Sequence, residues 1–261
     1  MRTPVLCVLL FGGLIAPAQA QTIWSRPYQP DQVALEVLIP ERSGDASEGL
    51  SGAGFLTVTH SFNENLQGIV ELPVARAGGP PSSTALGNPY VGLGLSSTRV
   101  PLLVEIGVRI PAGPTNRARA VGRRADPGRT AAFRDETVSL SGLLNGRLDV
   151  GRNTSLRLRA GLSYGSVRTG SGVQGQWQIP YSAQLWRSGE WLLTGLSVTG
   201  RPSFSSFAGD TRRAHHAVLS VMLNGNYVQP GLLVGTGLDP LFTEGRLSVL
   251  GGVTLSISYG R

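Results

Sequence analysis

The stretch PLLVEIGVRIP, residues 101–111, places Leu102, Val104, Ile106, Val108 and Ile110 on one side of an extended chain. Leu103, Glu105, Gly107 and Arg109 fall on the other. The same period of two recurs in about twelve segments, at 32–39, 53–62, 65–73, 89–97, 101–111, 136–150, 154–166, 174–187, 190–200, 214–224, 228–238 and 246–259. Clusters of Gly, Asn, Pro and Ser bound them, and no stretch sustains helical spacing. The alternation therefore predicts an all-β chain, and leaves open which face meets solvent.

The second face decides between environments. A soluble sheet turns its polar face to water and needs charge there. Here the residues opposite the aliphatics are Tyr90, Gly92, Gly94 and Ser96 on one strand, Gly161, Ser163 and Gly165 on another, and Ser248, Gly252, Thr254, Ser256 and Ser258 on the last. Charged residues make up 15% of the chain, against about 25% in soluble domains. Small, weakly polar side chains suit the crowded interior of a closed barrel, so the aliphatic face is expected to meet lipid. In lipid every backbone N–H and C=O must be bonded, and a sheet achieves that only by closing on itself.

The connections point the same way. Short turns at 63–65, 98–100, 151–153, 188–190 and 225–227 alternate with longer segments at 40–52, 74–88, 112–135, 167–173, 201–213 and 239–245. That asymmetry predicts an up-and-down antiparallel transmembrane β-barrel of about 12 strands, with short periplasmic turns and long extracellular loops. Phe62, Trp186, Trp191, Tyr227 and Tyr259 lie beside the short turns, and Trp177, Tyr181 and Phe204 nearer the long loops. Parity points Trp186 inward, away from a girdle.

Residues 1–20 read as a secretory signal peptide, with Arg2, an apolar run from Val5 to Ile15 and a small-x-small site at Ala18-Gln19-Ala20. The run is shorter than the roughly 20 residues of a spanning helix. The single cysteine, Cys7, lies inside it, so no disulfide is expected in the remainder. Residues 21–261 are then one barrel domain in the outer membrane of a Gram-negative-type cell, with outer-membrane lipids as its surroundings. The alternative is a secreted soluble β-sandwich or lipocalin-like binder.

The segments NLQGIVELPVA (65–75), GNPYVGLGL (87–95) and EIGVRIPAG (105–113) resemble the outer-membrane transporter barrels of the phenol-degradation pathway, over roughly residues 32–113. The resemblance implies a barrel that passes small, hydrophobic or aromatic compounds. Outer-membrane barrels usually end on an aromatic residue read by the barrel-assembly machinery, the partner expected during biogenesis. This chain departs from that, ending Tyr259-Gly260-Arg261.

By parity the lumen receives Glu36, Glu71, Glu105, Arg109, Arg147, Arg157 and Arg159. Acids on one wall facing arginines on the next would set up a transverse field that orients polar or anionic solutes. Alternatively the charges pair and plug a narrow barrel. The segment 112–135 carries Arg117, Arg119, Arg123, Arg124, Arg129 and Arg134 with few acids. It reads as a solvated surface loop, the alternatives being a filter folded into the barrel mouth or a contact with anionic lipopolysaccharide.

The expected function is an outer-membrane channel or passive transporter for small-molecule solutes. A closed barrel serving as surface anchor or lipid-modifying enzyme is the alternative. No catalytic residue, metal site or cofactor is assigned. His60-Ser61 and His215-His216 are adjacent pairs whose side chains leave a strand on opposite faces, and no Cys or carboxylate cluster joins them at ligand spacing. The net charge is +7, yet its arginines are dispersed, with no recognition helix, so nucleic acid is not expected as a partner.

Folded protein should depend on detergent and migrate differently on a denaturing gel before and after boiling. A soluble sandwich would do neither.

Overall fold

The computed structural model describes residues 31–40, 49–96, 101–114, 116–135, 137–169, 172–202, 215–239 and 248–259. The signal-peptide reading and Phe204 lie outside these. The strands are β1 (Gln32–Pro40), β2 (Gly52–Ser61), β3 (Leu66–Ala77), β4 (Ser83–Leu86), β5 (Tyr90–Ser96), β6 (Leu102–Arg109), β7 (Thr137–Gly151) and β8 (Thr154–Thr169). There follow β9 (Gly172–Gln178), β10 (Tyr181–Ser188), β11 (Leu192–Gly200), β12 (His215–Leu223), β13 (Val228–Gly237) and β14 (Ser248–Ser258).

All pairings are antiparallel, and β1 joins β14 from Gln32 opposite Ser258 to Pro40 opposite Leu250. β8 pairs with both β9 and β10. Those two are halves of one stave, interrupted at Ile179-Pro180 where proline offers no N–H. β4 is a short strip against the end of β3. Counted as staves, the sheet is a closed barrel of twelve strands.

Parity places the aliphatic residues outside. Ile106 is 53% and Leu158 46% exposed, while Glu105 at 1% and Arg159 at 4% are enclosed. Leu93, Leu140, Leu196, Leu219, Leu232 and Val253 continue the apolar belt around the wall. Phe62, Trp191, Tyr227 and Tyr259 are exposed beside the short turns, and Trp186 points inward.

Inward residues are graded along the axis on the first strands. Near the short turns they are polar: Gln32, Thr57, Thr59 and Gln67. Midway come Glu36 and Glu71. Toward the other end Leu38, Ala53, Phe55, Ala75 and Ala77 form a buried apolar patch, which exists because something apolar covers it.

The cover is the segment after β6. It is not the solvated loop expected from its charge. It folds into helix α1 (Arg117–Ala125) and a 3-10 turn (Pro127–Ala132), packed inside the barrel on β1, β2, β3 and β4. Asn116 caps α1 by accepting from the Arg119 N–H at 2.9 Å, and Arg123 and Arg124 complement the dipole at its last turn. Its buried face is Ala118, Arg119, Gly122 and Ala125. Those residues are too small or too charged to register as an apolar stripe, which is why the helix escaped the periodicity reading. Ala118, Ala125, Ala132 and Phe133 complete the apolar patch, with the Phe133 ring edge-on to Phe55 at 5.7 Å.

Asn88, fully buried before β5, pins this plug. Its side-chain amide donates to the Ala131 and Arg134 carbonyls at 3.0 and 2.7 Å, and its Oδ1 accepts from Ala112 N–H and Arg119 Nη2 at 3.1 and 2.5 Å. All its hydrogen-bonding capacity is used.

Removing a buried hydrogen-bond hub leaves each former partner unsatisfied at about 1–3 kcal/mol. Asn88→Ala should therefore speed tryptic cleavage within 112–135 at least roughly 10-fold and leave the boiling-dependent mobility shift of the barrel intact, as read by timed proteolysis on gels.

Candidate functional site

The plug and wall bring most of the sequence-assigned charges together. Glu36 on β1, Glu71 on β3 and Glu105 on β6 project inward from alternate staves and are each at most 1% exposed. Arg129 enters from the 3-10 turn, its guanidinium paired with Glu36 and Asp126 and 3.3 Å from Glu71 Oε2. The same group lies 3.6 Å over the Phe55 ring, so its face meets the aromatic quadrupole while its edges meet carboxylates. Arg109 Nη2 donates to Glu71 Oε1 at 2.6 Å and its Nη1 to the Asn88 carbonyl at 3.1 Å.

A second group sits beside the first. Arg159 Nη2 donates to both oxygens of Glu105 at 3.1 Å, and the Tyr90 hydroxyl donates to Glu105 Oε1 at 2.7 Å. Tyr90 occupies the space left by two glycines, since a Cβ on Gly92 or Gly107 would run into its ring. The small-residue face therefore makes room for a specific side chain rather than for an empty bore. The three glutamates thus meet arginine by direct contact, as the pairing alternative describes, rather than facing it across a gap.

Arg147 and Arg157 are not part of this cluster. They stand opposite one another in the β7–β8 register, one inward step toward the short turns from Asn145 and Arg159. Arg147 Nε donates to Asp149 at 3.0 Å, while Arg157 Nε and Nη1 are buried without a hydrogen-bond partner among the described residues.

Between plug and wall lies a cavity of about 60 Å³, bordered by the charge cluster and by Arg134, Arg201, Gln176 and Ser141. Arg134 Nη1 donates to Gln176 Oε1 at 2.5 Å. Arg201, directly after β11, donates from Nη1 to Thr130 Oγ1 at 3.3 Å, and its buried Nε has no hydrogen-bond partner among the described residues.

Sequence reasoning missed Tyr90, Gln176 and Arg201 as members of the site. Tyr90 shares inward parity with Glu71 and Arg109, so parity alone could have included it. Arg201 stands past a strand end, where parity carries no information.

The histidines lie apart from the cavity. His60 Nδ1 is 3.1 Å from Asp31, its ring stacked with Tyr259 and edge-on to Phe62 beside the short turns. His215 Nδ1 is 2.7 Å from Asp239 Oδ1 at the other end of the barrel.

No protein-family model matches the chain, and no curated protein matches its sequence. Solved structures do match its fold. The KdgM porin superposes with a TM-score of 0.54 at 11% identity, covering 88% of this chain and 99% of that one. The COG4313 outer membrane channel from Pseudomonas putida F1 gives 0.55 at 12% identity, covering 92% and 99%. The NanC porin gives 0.55 at 8%, covering 88% and 100%. The fold is that of porin-like outer-membrane barrels.

Glu71 is the counter-charge for the buried Arg129 and the partly buried Arg109. Glu71→Ala should lower the stability of the folded barrel by about 3–5 kcal/mol, because Arg109 and Arg129 lose a partner they cannot replace with water. Glu71→Gln, which keeps an acceptor oxygen, should lose less. Denaturant unfolding of detergent-folded protein compares the two.

Proposed function

We propose that the barrel is an outer-membrane channel that passes small solutes, and that the inward-folded plug sets its narrowest point. The observation that carries this reading is the arginine-rich cavity between plug and wall, midway along a closed lumen. A barrel serving only as an anchor needs no such polar space. Filling with paired charges from staves and plug narrows the path without lining it with hydrocarbon, which suits polar or charged solutes.

The superposed structures support the reading through their names, two porins and one channel. KdgM has also been solved in complex with oligogalacturonate, with a TM-score of 0.53 at 10% identity, and that ligand is a carboxylate-bearing sugar chain. The resemblance of roughly residues 32–113 to the phenol-degradation transporters supports small aromatic compounds as a second solute class. Both classes meet in small organic anions.

Single-channel recording tests the assignment. The double substitution Arg157→Ala with Arg159→Ala should reduce anion preference and change conductance, since it removes two inward cations and frees Glu105. Unchanged conductance and ion selectivity would take these arginines out of the pathway. Liposome swelling separates a channel from a sealed anchor or a lipid-modifying barrel, which admit no solute.

A further inference from the structure

We infer that the cavity between plug and wall is a binding site for the carboxylate head of a small organic anion, with Arg201 as its recognising residue. The inference deepens the channel reading, on which it rests for its transport consequence.

Every other guanidinium that reaches the chamber is tied to a partner. Arg109 and Arg129 are committed to Glu71, Arg159 to Glu105, and Arg134 to Gln176. Arg201 forms no salt bridge among the described residues: it donates to a neutral hydroxyl, Thr130 Oγ1, and its buried Nε has no acceptor among them. A buried N–H with no acceptor is costly, and a charged one more so. The position is held by the backbone, because the next residue's carbonyl, that of Pro202, accepts from Ile179 N–H at 3.0 Å.

An anion in the chamber supplies what is absent. It gives Arg201 Nε an acceptor and offsets the repulsion among the guanidinium groups of Arg201, Arg109 and Arg159, which border the same space. A planar carboxylate presents two oxygens to the forked N–H groups of a guanidinium. Glu71 and Glu105 border the same space, so a doubly charged head such as phosphate meets more repulsion than a singly charged one. About 60 Å³ admits a head group of a few heavy atoms. The rest of a larger molecule lies outside the chamber.

Calorimetric titration of sodium acetate into full-length protein in detergent, at constant ionic strength in sodium chloride, tests this. Acetate should bind, and Arg201→Gln should weaken it at least roughly 10-fold. Arg201→Lys, which keeps the charge and loses the Nε donor, should also weaken it. Arg152→Gln, an equal charge change in the exposed turn before β8, should not. The boiling-dependent mobility shift confirms that each variant folds, and either Arg201 variant suffices if the other does not.

Absence of acetate binding, or binding indifferent to both Arg201 substitutions, overturns the inference. Inorganic phosphate binding as tightly as acetate overturns the carboxylate class. Arg201-dependent binding without acetate flux into proteoliposomes leaves the site standing and removes the channel reading. Flux without Arg201-dependent binding does the reverse.

Discussion

The peptide groups of this chain have no water to bond in the hydrocarbon layer, and that single constraint organises everything else. A sheet meets it only as a closed ring in which each N–H and C=O finds a neighbour. The β1–β14 pairing completes that ring. Prolines stand where the ladder is interrupted. Pro180 splits the stave formed by β9 and β10, and the β12–β13 pairing stops at Met222 opposite Gly231, next to Pro230. Closure also forces the inversion of faces. Once the ring forms, one side of every strand meets acyl chains and the other must share a narrow enclosed volume.

What fills that volume follows from its size. Twelve staves enclose too little space for a wide aqueous bore, since such channels come with 16–18 strands. The lumen here is divided among side chains and the plug. Its apolar end accepts Ala118, Ala125, Ala132 and Phe133, and its acidic middle accepts Arg129. The two contacts reinforce one another, because docking the apolar face of the plug carries Arg129 to Glu36 and Glu71. The ion pairs in turn need that docking to exclude water. The cavity bordered by Arg201 is the space the two surfaces leave unfilled.

Much of the fold and part of the site were legible from alternation. Leu158 and Arg159, adjacent in sequence, go to lipid and lumen as parity demands, and so do Ile106 and Glu105. Parity also admitted Glu36, Glu71, Glu105, Arg109 and Arg159 to one interior. It could not say which of them touch. Arg157 has the same parity as Arg159, yet one inward step along β8 removes it from Glu105 and sets it against Arg147. Segment 112–135 was misread for a related reason. Its arginines resemble a solvated surface until Arg119 and Arg129 are seen to have buried partners, Asn88 and Glu36, that lie 31 and 93 residues away.

The sequence alone determined the all-β class, the inside-out faces, the alternation of short and long connections and the inward charges. Those properties are local, written in period two and in turn residues, and need no knowledge of what lies across the barrel. Tertiary structure decided that the basic segment is a plug, that the three glutamates pair with arginine, and that Arg201 is left with an unanswered donor. Those depend on which distant side chains share a few ångströms of enclosed space, and only ring closure sets that.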